Sequence, residues 1–166
     1  AQSKGVLLVA AAGNDNLDID VDVHYPTANY ENGQKAENWI TVGALSWKSE
    51  PNSVAEFSNY GKKNVDVFAP GVDIYSTVPG SKYEEKSGTS MAAPATTGVA
   101  ALLKSYFPEL TAAQIKKIIL DSSVKLPELR VNKPGSKEIV KFEDLSLTGG
   151  MVNAYNAVKM ALEMSK

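Results

Sequence analysis

The segment "GVLLVAAAG", residues 5–13, is apolar without alternation. A strand with one face in water alternates apolar and polar residues, whereas a strand covered on both faces does not. The run therefore reads as a strand buried on both sides, the habit of parallel sheets that lie beneath helices. "WITVGALS" (39–46) is a second such run, rich in β-branched residues, and "NVDVFAPG" (64–71) is a third, stopped by Pro70-Gly71. "VDIYSTVPG" (72–80) does alternate and halts at Pro79-Gly80, which marks the arm of a hairpin.

Helical signals follow. From Ser90 to about Phe107 the small residues Ala92, Ala93, Ala95, Gly98, Ala100 and Ala101 lie all round the cylinder. A helix with no polar face reads as buried, and small side chains let its neighbours approach. In "LTAAQIKKIILDSS", Thr111 and Gln114 have the spacing of a capping box. Ile115, Ile118 and Ile119 then make one apolar stripe, with Lys116 and Lys117 expected to point away. Residues 125–150 are rich in turn formers, with a short strand expected at "KEIVKF", and "GGMVNAYNAVKMALEM" closes the chain with a helix. Strands followed by helices in this order predict an α/β fold. It would be part of a doubly wound, mostly parallel sheet flanked by helices, with a buried central helix starting at Ser90. In such sheets ligands bind at the carboxyl ends of the strands.

Composition narrows the classes. The 166 residues suit one domain with a real core, 43% hydrophobic and 22% charged. The net charge of −2 comes with no basic stripe, so a nucleic-acid partner is not expected. No apolar run reaches the roughly 18 residues a membrane span requires. With no cysteine there are no disulfides and no thiolate zinc site. The apolar run starts almost at the first residue, so the chain is expected to begin inside a longer protein.

Asn14 and Ser90 both fall where strand ends and helix starts meet. The first N–H groups of a helix have no intrahelical partner, and with the helix dipole they favour negative charge. An acyl-transfer transition state develops an oxyanion at such a place, and a side-chain amide such as Asn14 is a suitable fixed donor. Pro94 lacks the N–H that would bond the Ser90 carbonyl, so the turn around Ser90 is expected to be locally non-ideal.

"VAAAGN" and "SGTSMAAP" together resemble the last two motifs of subtilisin-like serine proteases. The resemblance continues through "YP", "ITVGAL", "EFSNYG", "VDVFAPGVDIYSTVPG", "GVAALL" and "GGMVNAYNAV". It covers nearly the whole chain except 15–38 and 125–147. It implies that Ser90 is the nucleophile, with Asn14 and the Ser90 N–H as oxyanion donors. It also implies that Ala11, Ala12 and Gly13 line the specificity pocket, and Gly88 and Thr89 are placed with them at the substrate. The implied substrate is an extended polypeptide, no metal or organic cofactor is needed, and the implied location is extracellular or periplasmic. Family members commonly carry histidine where this chain has Ala95, but that histidine is not the triad base.

The family's triad runs Asp, His, Ser, and only the Ser is here. No "DSG"- or "HGT"-type motif precedes Asn14. The chain is thus expected to be the C-terminal portion of a peptidase domain, inactive alone. Its expected partner is the missing N-terminal half, or a second copy of itself through an unpaired sheet edge. The one histidine, His24, is read as a surface loop residue. Asp18, Asp20 and Asp22 begin like a calcium loop, but Val23 stands where its glycine belongs, so a solvated acidic loop is expected. Glu84 and Glu85 are read as exposed. The rival reading is a non-catalytic peptide-binding scaffold.

Overall fold

The computed structural model describes residues 1–165. Strands β1 (Leu8–Ala11), β2 (Trp39–Leu45) and β3 (Val67–Pro70) run parallel, with Leu8 opposite Trp39 and Val42 opposite Val67. A hairpin of β4 (Ile74–Val78) and β5 (Lys82–Lys86) leaves the end of β3 and leads into helix α1 (Thr89–Tyr106). Helix α2 (Ala112–Asp121) and the short strand β6 (Val124–Lys125) follow. Next come an antiparallel pair, β7 (Arg130–Asn132) with β8 (Ile139–Lys141), then β9 (Gly150–Met151) and helix α3 (Ala154–Met164). The main sheet has the order β1-β2-β3-β9-β6, parallel except where β6 pairs with β9. The fold is therefore α/β with a mostly parallel sheet flanked by helices, as the unalternating runs predict.

Both faces of the sheet carry apolar side chains. Ile40, Val42, Ala44, Val67 and Ala69 point to one side, where they meet Ala92, Ala100 and Leu103 of α1 and the isoleucines of α2. Ala157 and Ala161 of α3 complete that core. Leu45 and Phe68 point to the other side, against Val131, Phe142 and Leu145. The long helices thus cover one face, and β7, β8 and a 3-10 turn at Phe142–Leu145 cover the other. Gly43 sits beside Phe68 in register, and a Cβ on it would lie 2.4 Å from the ring. The absent side chain is what lets Phe68 lie flat across β2.

Three expectations need adjusting. Helix α1 packs against β1, β2, β3, α2 and α3, yet only one side of it is covered. Ala92, Ala93, Thr96 and Ala100 are buried, whereas Pro94, Ala95, Thr97, Gly98 and Ala101 are exposed. Small residues on both sides of a helix do not say which side is covered. Lys117 is exposed as expected and pairs with Asp121 at 2.7 Å. Lys116 instead turns inward to within 3.5 Å of Asp66, which is buried at the start of β3. Its stem is long and flexible enough to carry the ammonium from the helix to a carboxylate on another element. Finally, the closing helix starts at Ala154, because Gly150-Met151 first adds a strand beside Phe68.

The capping box is present: Thr111 Oγ1 accepts from the Gln114 N–H and Gln114 Oε1 from the Thr111 N–H. No described helix is long and apolar enough to cross a membrane.

Candidate active site

Strand β1 ends at Ala11, and Ala12-Gly13 carry the chain on to Asn14. Because α1 packs across β1 and β2, its first residues arrive at the same end of the sheet. The Gly88 N–H donates to Gly71 O at 2.7 Å, which pins the return of the hairpin to the exit of β3. Ser90 is then the second residue of α1, exposed, with Gly88 and Thr89 buried behind it. Its position leaves its N–H without a partner inside the helix. No acidic residue lies in the first turn to offset the positive end of the dipole. Pro94 does not break the helix, which runs unbroken from Thr89 to Tyr106, but it deprives the Ser90 carbonyl of its donor four residues on.

Asn14 is held by one end of its amide. Its Oδ1 accepts from the Thr89 N–H and from the Thr89 hydroxyl, both at 2.9 Å. Both neighbours need an acceptor there, so the carbonyl side of the amide is fixed and the NH2 side faces away. Thr89 Oγ1 also accepts from the Gly13 N–H at 3.1 Å, which ties the turn after β1 to the head of α1. A cleft of about 400 Å³ opens in front of this clamp, lined by Ala11, Gly13, Asn14, Thr89 and Ser90, with His24 and Trp39 on its sides.

Each residue expected here has a definite place. Ser90, Asn14, Ala11, Gly13 and Thr89 share the cleft. Thr89 is fully buried and its hydroxyl is engaged by Asn14 and Gly13. Ala12 points the other way, as strand alternation requires, into the second core and an adjoining cavity. Gly88 lies beside the clamp, 3.4 Å from Asn14 Nδ2 to the point a Cβ would occupy.

Two residues were not singled out from the sequence for these positions. Asn59 is fully buried, and its side chain holds the turn that carries Asn14. Its Oδ1 accepts from the Asp15 and Leu17 N–H groups and its Nδ2 donates to Ala12 O. Its backbone N–H donates to Gly13 O. "EFSNYG" was visible as a motif, but nothing in its composition tells which turn it supports. His24, expected on the surface, is half-buried in the wall of the Ser90 cleft. Its imidazole lies 2.9 Å from where a Gly13 Cβ would stand, so Gly13, at φ 104°, must lack one. Neither the imidazole nor the Ser90 hydroxyl has a hydrogen-bond partner among the described residues.

The acidic loop is more ordered than a solvated loop. Asp20 accepts from the Lys63 and Asn64 N–H groups, and Asp18 accepts from the Asp20 N–H. Among the described residues no group of three or more His, Asp or Glu is placed to hold a metal ion. Behind the sheet, burial raises the Asp66 carboxyl above its ordinary value, opposed by Lys116 and by the Thr41 N–H that it accepts at 2.7 Å.

Similarity to known proteins agrees with this geometry. The model of the subtilase family matches residues 1–142. The chain is 40% identical to subtilisin Savinase of Lederbergia lenta over 126 residues, which is 76% of this chain and 42% of that protein. It is 38% identical to a thermophilic serine proteinase of Bacillus sp. strain AK1 over 158 residues, 95% of this chain and 32% of that protein. Among solved structures, a protease of Pseudoalteromonas arctica PAMC 21717 superposes with a TM-score of 0.67 at 30% identity. That match covers 96% of this chain and 44% of the other. The chain thus spans less than half the length of these relatives.

Proposed function

The chain belongs to the subtilase family, and on that premise we propose that it carries the nucleophile and the oxyanion donors of a subtilisin-type serine endopeptidase. Ser90 Oγ attacks the scissile carbonyl carbon of an extended polypeptide. Its proton passes to a histidine on polypeptide outside this chain, oriented there by an aspartate. The carbonyl oxygen becomes an oxyanion that receives the Asn14 amide and the Ser90 N–H. Collapse expels the amine with that proton, and water then releases the acyl group from Ser90. The observation that carries this reading is the Thr89 clamp. By occupying Asn14 Oδ1 with two donors, it leaves the NH2 group for the space in front of Ser90, with no reorganisation needed at the moment of reaction.

The rest of the domain is proposed to be an N-terminal half that lies against β1 and the exposed side of α1. Among the described residues β1 pairs only with β2. A groove lined by Leu7, Val9, Ala100, Ala101 and Ile115 opens next to it. A free strand edge beside an apolar groove also favours self-association of the chain on its own. An extracellular or periplasmic location goes with the same reading, and fractionation of the source cells tests it.

A fluorophosphonate probe tests the chemistry. The full-length protein is expected to label at Ser90, and Ser90→Ala to abolish the label. A folded protein that does not label favours the rival, a peptide-binding scaffold. The isolated chain is expected to show no appreciable turnover, since a serine hydroxyl without its base is a poor nucleophile at neutral pH.

A further inference from the structure

We propose that the turn of the β7–β8 hairpin braces the oxyanion amide, with Gly135 as the positioning residue. The turn seats against Asn16 and so fixes the segment that carries Asn14. The proposal rests on the endopeptidase reading of the Ser90 cleft and adds to it a residue that lies outside the cleft. Asn16 and Gly135 belong to the two stretches, 15–38 and 125–147, that the motif resemblance mostly leaves out. In the fold these two stretches meet.

The approach is close. Gly135 has φ 73°, in the left-handed region. A Cβ on it would stand 2.7 Å from Asn16 Cγ and 2.9 Å from Asn16 Cβ. Turning the Asn16 amide relieves the first contact but not the second, because a Cβ moves only with its backbone. Both sides are tied to the same segment, 51–60. On the hairpin side, the Gly135 N–H donates to Glu56 O at 3.0 Å and the Asn132 N–H to Pro51 O at 2.8 Å. The Lys133 ammonium lies over the Tyr60 ring, 5.7 Å from its centre. On the other side, the Asn16 N–H donates to Phe57 O at 3.0 Å, while the Asp15 and Leu17 N–H groups share Asn59 Oδ1. Asn14 stands two residues before Asn16. A push on Asn16 therefore reaches the amide that must meet the oxyanion at hydrogen-bond distance. A misplacement of about 1 Å at a reacting centre can cost roughly 10²-fold in rate.

The test uses the full-length protein and the variant Gly135→Ala. Gly135 is exposed, so the added methyl leaves the core untouched. On one peptide substrate kcat is expected to fall about tenfold with KM little changed, the split expected of a donor that acts in the transition state. Fluorophosphonate labelling of Ser90 should slow in parallel. In an Asn16→Gly background the same change should cost less than about twofold in kcat, since the atoms it meets are gone. The strain of a left-handed alanine remains in that background, so its denaturation midpoint should stay lowered while kcat recovers. A merely structural role would move kcat and midpoint together. In an Asn14→Ala background Gly135→Ala should add no further loss, because both changes act on one donor. An unchanged kcat in Gly135→Ala overturns the proposal. So does a loss that survives Asn16→Gly, or an equal loss in the Asn14→Ala background. Wild-type labelling alongside any of these refutes the brace alone, whereas absence of wild-type label refutes the endopeptidase reading with it.

Discussion

Asn14 shows how a single side chain is held in one orientation. An amide that could rotate would offer its oxygen or its nitrogen to the cleft equally well. The two Thr89 donors remove that freedom. Replacing Asn14 by Ala is therefore expected to lower kcat of the full-length enzyme with KM little changed. The expected loss is roughly 10²–10³-fold, the known cost of this type of donor in subtilisin itself. Steady-state kinetics on one peptide substrate checks it. Asn59 acts one step further away. Asn59→Ala leaves the Asp15 and Leu17 N–H groups and Ala12 O without their partner. About 1–3 kcal/mol of stability should be lost for buried groups left unpaired, with slower labelling of Ser90. Denaturant melts and labelling rates on the same variant read the two effects separately. Ser90 and Asn14 were legible in the sequence because their motifs are local. Asn59 and His24 were not, because each reaches its place through a loop whose path no periodicity records.

Among the elements, β2 and β3 were read correctly from their unalternating runs, since burial on both faces leaves that mark. Gly43 explains how close the two strands' side chains come. Gly43→Ala would set a methyl group 2.4 Å from the Phe68 ring, and overpacking of this kind costs about 1–3 kcal/mol. A lower denaturation midpoint with an unchanged slope is the expected result. The capping box of α2 was legible as a four-residue pattern. The two-residue strands β6 and β9 were not, because they exist only through their neighbours: Met151 pairs with Phe68 on one side and Val124 on the other. The inward turn of Lys116 escaped the stripe rule for the same reason, its partner Asp66 being on another element.

At the scale of the whole molecule, Asp66 couples the sheet to α2 and gives stability a definite dependence on pH. Its carboxyl is raised above 3.8, with burial the largest cause. The folded state therefore holds a proton more tightly than the unfolded chain. That contribution to stability is complete below the unfolded value and is lost as pH rises through the folded one. Asp66→Asn removes the titration, so the stability of wild type relative to this variant should decline as pH rises from the ordinary carboxyl value of 3.8 through the raised folded one. Denaturant melts of the two proteins across that range would show it, and a difference that grows with pH would contradict it. The isolated chain is also expected to associate in light scattering as concentration rises, through β1 and the exposed side of α1; a monomer at all concentrations would count against that. The amino-acid sequence alone determined the longer strands, the helices, the family and the two residues proposed for the oxyanion step, because burial periodicity and short motifs are written in neighbouring residues. Only the tertiary structure decided which side of α1 is covered, which groups lock Asn14, and that His24 stands at the wall of the Ser90 cleft. Those outcomes depend on contacts between residues far apart along the chain, such as Gly13 with His24 and Asn59, and no local pattern encodes the distance across a fold.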